Sequence, residues 1–341
     1  MLFLSETSYK GEMMTNRRKI YSLNGLKAFG YICVFTAHAH LMLRNKFSVT
    51  LFFIISGFLA FYNRQPPLES IKFTNIVSYS FKHIVRLWQI HILFFLLSIV
   101  IRRAEIPNYG NWGAYAIEQI LLLQSLSLQP FHYNYASWYL SCLFILYWIA
   151  LPAIKWVTHT KKPIKYVTLL IIFYYIADYY VVKNAPFLDF TYWNPFYRIP
   201  DFIIGMFVCR IYEEYPLEVS SAKFDFLNSF VVVSFVLCLL VQFHLLETNN
   251  FFVLLFSIGI YILAHDRGWF CEILHSKLLQ HFAKIGLEFY LCHELVIYSV
   301  EKLLYNNIFF NGYNINILIW VIAFPISITI AQITNKLKSL V

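Results

Sequence analysis

The sequence predicts an all-α fold, a polytopic transmembrane helical bundle of about ten helices. Three observations predict it. Of the 341 residues, 59% are hydrophobic and only 13% are charged, whereas an ordinary soluble domain is about a quarter charged. Apolar runs approaching the roughly 20 residues that span a bilayer core recur along the whole chain, bounded by charges, Pro or Asn clusters. Aromatic residues make up 20% of the chain, as expected where Tyr and Trp gather at headgroup level and fill the gaps between helices.

In chain order the expected spans cover 24–43, 47–63, 83–101, 138–157, 164–182, 196–212, 226–245, 250–265, 281–300 and 315–335. Two carry weak signals: 47–63 is short, and 196–212 contains Arg198, Asp201 and Arg210. The longest connection, 102–137, has an apolar middle, WGAYAIEQILLLQSL, too short to cross a bilayer. It is expected at the interface or dipping into the protein.

Residues 1–19 read as a cytoplasmic N-terminal tail and 20–341 as one transmembrane domain. The opening MLFLSETSYKGEMM lacks the basic leader and long apolar core of a cleavable signal peptide. Met13 and Met14 compete with Met1 as the start, since both stand just before TNRRK.

The net charge of +9 would suggest nucleic acid in a soluble protein. In a membrane protein it reports topology instead, because short cytoplasmic segments hold the excess of Lys and Arg. With the N-terminus inside, the inner segments hold Arg17, Arg18, Lys19, Arg64, Lys72, Lys82, Lys161, Lys162, Lys165, Lys336 and Lys338, among others, and the outer ones far fewer. Both termini are therefore expected in the cytoplasm and no nucleic-acid partner is expected. The six cysteines lie singly, mostly within apolar runs. They read as small core residues, with neither a disulfide framework nor a metal site.

The first span, GLKAFGYICVFTAHAHLML, carries Lys27, His38 and His40. Positions two apart on a helix point about 200° away from each other, so the two histidines cannot share a face. Lys27 and His38 are eleven residues apart, a rotation of three turns plus roughly 20°, and lie on one face about 16 Å apart along the axis. Asn24 and Tyr31 fall within about 40° of the same line. The result is a polar stripe of Asn24, Lys27, Tyr31 and His38, with His40 off it. Ionisable groups inside a membrane face the bundle interior or a wet cavity, and histidine suits general-base work near neutral pH. A structural hydrogen bond is the competing use of His38.

These residues and five later motifs resemble the acyltransferase 3 family of integral membrane acyltransferases. The stretch LNGLKAFGYICVFTAH is similar to the family's Leu-Asp-Gly-Leu-Arg opening with a histidine ten residues on; Asn24 and Lys27 replace the Asp and Arg, and His38 matches the histidine. Phe52, Phe53, Ser56, Gly57 and Phe58 match a Phe-Phe-x-x-Ser-Gly-Phe signature. In FKHIVRLWQIH, Lys82, His83 and Arg86 hold the basic places at the entry to the third span. Trp138 opens SWYLSCLFILYWIALP, which resembles a Trp-x-Leu-Ser helix. YRIPDFIIGMFVCR keeps Arg198, Pro200, Asp201, Phe202 and Gly205 in register, and the late helix keeps Gly286, Tyr290, Leu291 and His293 with Glu288 at a usual Ser position.

The resemblance implies transfer of an acyl group, most often acetyl from acetyl-CoA as donor substrate, to a hydroxyl of a cell-surface or exported polysaccharide or its lipid-linked precursor. No permanently bound cofactor is implied. It also implies residence in the plasma (inner) membrane, and His38 as the base with Lys27, on the same helix face, as a second catalytic candidate. Lys82, His83 and Arg86 then either meet the phosphates of coenzyme A or anchor the cytoplasmic boundary. Arg198 and Asp201 can pair on one face, as a structural ion pair or toward substrate. Tyr31 and Ser56 are candidate donors to the developing oxyanion, and His293 can bond across helices. A non-catalytic glycan transporter or export partner is the alternative reading, since it too needs ten helices and a polar cavity.

Overall fold

The computed structural model describes residues 17–42, 46–64, 70–184, 190–244, 251–307 and 313–338. Most of the expected N-terminal tail, with all three candidate start methionines, lies outside the described residues. Among the described residues, fourteen α-helices account for the fold and no strand occurs. Ten helices fall on the ten expected spans: α1 Tyr21–His38, α2 Lys46–Tyr62, α3 Phe73–Ile101, α5 Trp138–His159, α6 Pro163–Asn184, α8 Pro195–Glu214, α9 Ser221–His244, α10 Phe251–Leu263, α13 Gly286–Asn307 and α14 Tyr313–Lys338. Short helices α4 Trp112–Ile120, α7 Phe190–Trp193, α11 Trp269–Leu274 and α12 Lys277–Lys284 lie between them.

Length and apolarity single out fewer segments than ten. Tyr135–His159, Ser221–Leu240 and Ile315–Lys338 are each long and apolar enough to cross a membrane, and Phe73–Val85 with Leu87–Ile101 qualifies as one span bent by 49°. Phe47–Tyr62 and Phe252–Leu263 are apolar but shorter. The two weak segments of the sequence, α2 and α8, form the centre of the bundle. Their backbones touch at two glycines: a Cβ on Gly57 would collide with the Phe202 carbonyl oxygen, and one on Gly205 would collide with that of Ile54. Small residues permit such close approach, and van der Waals packing drives helix association in lipid, where the hydrophobic effect is missing. Phe53, Phe58, Phe202 and Phe207 fill the flanks of this seam with essentially no exposure.

One end of the bundle carries the start of α1, the end of α2 and the end of α14; it is termed proximal, and the opposite end distal. At the proximal end Arg64, just after α2, makes a two-pronged ion pair with Glu213 of α8 at 2.9 and 2.7 Å. The first turn of α1 has Ile20 at its N-cap, without a capping side chain. Asp266, from the turn after α10, supplies the missing acceptor: its carboxylate takes the backbone N–H of Ser22 at 2.8 Å and of Tyr21 at 3.2 Å, and the Ser22 hydroxyl as well. Orphan N–H groups at a helix start need such an acceptor. His275 closes the cluster 2.9 Å from the same carboxylate.

The connection 102–137 caps the distal end with an inverted face. Trp112, Ile117, Leu121 and Leu126 are exposed, whereas Gln119, Gln124, Ser125 and Asn134 are buried. Gln119 donates to the His132 carbonyl at 2.7 Å and accepts from Ser137, and its own carbonyl lies 2.8 Å from His91 of α3. The segment thus docks through hydrogen bonds and turns its apolar residues outward, which is the arrangement suited to an interfacial position.

Burial pushes the Asp266 carboxyl up, but hydrogen bonds from Ser22, His275 and Tyr21 outweigh it and hold the group below its ordinary range. Its stabilising contribution is therefore present above the ordinary carboxyl value and is lost as pH falls through the lowered one. Asp266→Ala is expected to cost about 1–2 kcal/mol in detergent-solubilised thermal unfolding. The gap to wild type should narrow under acid conditions.

Candidate active site

α1, α2, α3 and α5 enclose a cavity of about 460 Å3 that opens toward the proximal end. Lys27 and Tyr31 enter it from α1, Ser56 from α2, Lys82 and His83 from α3, and Tyr139 and Tyr147 from α5, with Asn63 and Arg64 at its rim and leucine and isoleucine side chains on its walls. The polar stripe of α1 thus brings Lys27 and Tyr31 into a common cavity with the basic residues of the third span. Lys82 is exposed. His83 lies against the Tyr79 ring, 4.1 Å between centroids, and its Nδ1 is 2.8 Å from the Tyr79 carbonyl oxygen. Arg86 lies on the same helix, but its side chain is outside the described residues.

The inner limit of the cavity is a layer of aromatic rings. Tyr31 meets Phe52 at 4.8 Å, Phe52 meets Tyr139 at 6.0 Å, and Tyr290 stands behind them at 5.5 Å from Tyr139 and 6.3 Å from Tyr31. The Ser56 and Tyr139 hydroxyls are 3.2 Å apart, within hydrogen-bond reach. Gly286 opens α13 because a Cβ there would collide with the Tyr31 ring.

His38 stands beyond this layer, at the last residue of α1, and does not line the cavity. Its ring meets that of His293 edge-on, 4.9 Å between centroids. His293 is fully buried, and its Nδ1 is 2.6 Å from the Tyr290 carbonyl oxygen. That contact fixes Nδ1 as the protonated nitrogen and leaves Nε2 as the acceptor; Nε2 makes no hydrogen bond among the described residues. Tyr290 thereby joins the aromatic layer to the histidine pair. Sequence spacing brings out His38 and His293 one at a time. Their meeting is a contact between α1 and α13 that helix rotation alone cannot show.

The other expected residues divide cleanly. Asn24 is half-buried one turn proximal of Lys27 and does not line the cavity. His40 has left the helix, with φ 56°, and sits exposed 3.2 Å from Glu301; the two histidines of the first span occupy separate surroundings because the helix ends at His38, and not because of the rotation expected for a continuous helix. Trp138 packs on Tyr192 and Phe53, away from the cavity.

Arg198 and Asp201 form a closed ion pair at 2.9 Å, with both side chains buried. The guanidinium also donates to the Tyr192 carbonyl at 3.0 and 2.8 Å and to Thr50 at 3.3 Å. All three of its nitrogens have acceptors within the protein, which fits the structural reading of the pair. One carboxylate oxygen of Glu288, Oε1, is met by Asn335 and Lys338 of α14 at 3.2 and 3.4 Å, while its Oε2 is buried without a hydrogen bond among the described residues.

Two further charged groups join the picture. Arg64 stands out in the sequence only as a topological charge. Arg102 at the distal end lies between the rings of Tyr135 and Tyr298, 4.0 and 4.1 Å from their centroids, and pairs with Glu105 at 2.8 Å and with Glu294. Its only signal in the sequence is a pair of arginines closing an apolar run.

An all-helical membrane bundle with a basic cavity at one end and, behind an aromatic layer, a histidine pair of which His293 is buried and His38 half-buried is the class these observations define. The acyltransferase domain model of the acyltransferase 3 family matches residues 20–336. The chain belongs to that family and is a membrane acyltransferase. No curated protein and no solved structure matches it.

Removing one partner of a buried ion pair leaves an uncompensated charge. Arg198→Ala should cost about 3–5 kcal/mol in thermal unfolding. Adding Asp201→Asn to that variant should recover part of the loss.

Proposed function

We propose that the chain is an integral membrane O-acyltransferase that moves an acetyl group from acetyl-CoA to a hydroxyl of a cell-surface or exported polysaccharide, or of its lipid-linked precursor. The observation that carries this reading is the placement of two kinds of group on opposite sides of one aromatic layer. Cations suited to phosphate line the proximal cavity, and a histidine pair suited to proton transfer stands on the distal side. Family membership supports acyl transfer as the reaction class.

In this reading the proximal end faces the cytoplasm of a plasma (inner) membrane, where acyl-CoA is supplied. Lys82 meets the phosphates as a point charge. The pantetheine arm follows the apolar wall toward Tyr31 and Tyr139. The acceptor hydroxyl approaches His38 from the distal side. His38 removes the hydroxyl proton as the oxygen attacks the thioester carbonyl, the carbon–sulfur bond breaks, and the proton ends on the departing thiolate. Tyr31, Tyr139 and Ser56 offer hydroxyl donors to the oxyanion that forms on the way. The reacting carbonyl must pass between the Tyr31 and Phe52 rings, so those rings part during each turnover. His293, with its Nδ1 proton held by the Tyr290 carbonyl, keeps an edge contact that orients the His38 ring.

His38→Ala should lower acetyl transfer to membrane glycan by at least about a hundredfold, within the range for general-base loss, while the protein remains folded. His40→Ala, which removes only an exposed contact to Glu301, should stay within about twofold of wild type. Equal activity in His38→Ala would defeat the base assignment. Glycan binding without any transfer by wild type would favour the transporter reading.

Lys82→Ala should raise the KM for acetyl-CoA about fivefold or more with little change in kcat, as loss of uniform binding does. Unchanged KM would leave Lys82 as a boundary anchor only.

A further inference from the structure

A second pocket, of about 890 Å3, lies at the proximal end where α5 turns into α6, beside the start of α3. Lys161, Lys162 and Lys165 are exposed around it, and Trp156 and Tyr166 form its aromatic floor at 5.9 Å between centroids, backed by Phe207. Among the described residues no carboxylate lines it. Two carbonyls of the last turn of α5, which could otherwise attract lysine ammonium groups, are already engaged. His159 Nδ1 is 2.8 Å from the Lys155 carbonyl oxygen, and the Thr160 hydroxyl donates to the Trp156 carbonyl at 2.8 Å.

This pocket is separate from the donor cavity. On α5 the cavity is lined by Leu143, Tyr147, Leu151 and Ile154, which recur at helical spacing along one stripe. Pro152, Lys155, Trp156 and His159 form another stripe, roughly a third of a turn round the helix. Beyond the pocket, α6 presents Ile164, Leu169, Ile172 and Phe173 outward, which is the surface of a helix facing lipid rather than a path into the bundle.

We propose that this pocket binds an anionic phospholipid, with the phosphate held by Lys161, Lys162 and Lys165 and the glycerol region lying on Trp156 and Tyr166. Basic pockets between transmembrane helices attract anionic headgroups, and each lysine near the surface adds to the attraction. Trp and Tyr are the side chains that settle at headgroup depth, with an apolar body and a polar edge. The exposed apolar side of α6 continues from the pocket along the helix and gives the acyl chains a place to lie. A nucleotide would satisfy the lysines and stack on the aromatic floor, but it has no use for that apolar continuation.

The test uses delipidated full-length protein in neutral detergent, titrated with phosphatidylglycerol or phosphatidylcholine and read by native mass spectrometry. Wild type should retain phosphatidylglycerol in preference to phosphatidylcholine. The triple variant Lys161→Gln, Lys162→Gln, Lys165→Gln should bind it at least about tenfold more weakly, while the triple change to Arg should keep it. A photoactivatable phosphatidylglycerol, applied to wild type, should label the end of α5 and the first turns of α6; this arm needs no variant to fold. Equal retention of the two lipids, equal binding by the Gln variant, or labelling confined to other helices would overturn the proposal. Displacement of the lipid by adenosine diphosphate at matched phosphate concentration would also overturn it, in favour of a nucleotide site.

Discussion

A charge inside an apolar helical bundle is tolerated only when it is paired or opens onto a polar cavity, and this constraint organises the molecule. Arg198 is paired with Asp201, and its remaining donors go to Tyr192 and Thr50. Arg102 is held between two tyrosine rings and two glutamates. Glu288 meets Lys338. Lys27 has another fate, because it faces the proximal cavity together with Lys82 and His83. Sorting the charges this way separates groups that hold helices together from groups able to meet a substrate.

The seam between α2 and α8 sets where those groups stand. Its glycines bring the backbones together, and the buried ion pair ties α8 to Thr50 of α2. α2 therefore stands at a fixed depth beside α1, which places Phe52 against Tyr31 and Ser56 against Tyr139. The aromatic layer is a consequence of that register. It divides the interior into a cavity with cations on one side and the His38–His293 pair on the other, and the proposed reaction takes its two substrates from those two sides.

Much of this is legible in the sequence because it depends on local spacing. Apolar runs locate the ten helices, whereas the end of α1 at His38, which sets His40 apart, is not announced by them. The ordered motifs point to the family. What stays hidden depends on contacts between distant residues. The stripe of α1 is one line on the helix, yet Tyr31 and its neighbours divide it, so Lys27 and His38 face different compartments. The capping of α1 by Asp266 joins residues 244 apart in sequence, and no local cap signal announces it. The connection 102–137 is recognisable as interfacial from its length and apolarity. Its inward-facing Gln119 and Gln124 depend on partners from α3 and from the turn leading into α5, and these are not.

If donor and acceptor approach from opposite ends of the bundle and meet at His38, transfer must work across a sealed membrane. Proteoliposomes can hold the protein in one known orientation, with glycan sealed in the lumen on the distal side and labelled acetyl-CoA confined to the outside on the proximal side. Labelled glycan should then accumulate in the lumen with no free acetyl-CoA there. Transfer only when acetyl-CoA and glycan share one side of the membrane would contradict two-sided access to His38.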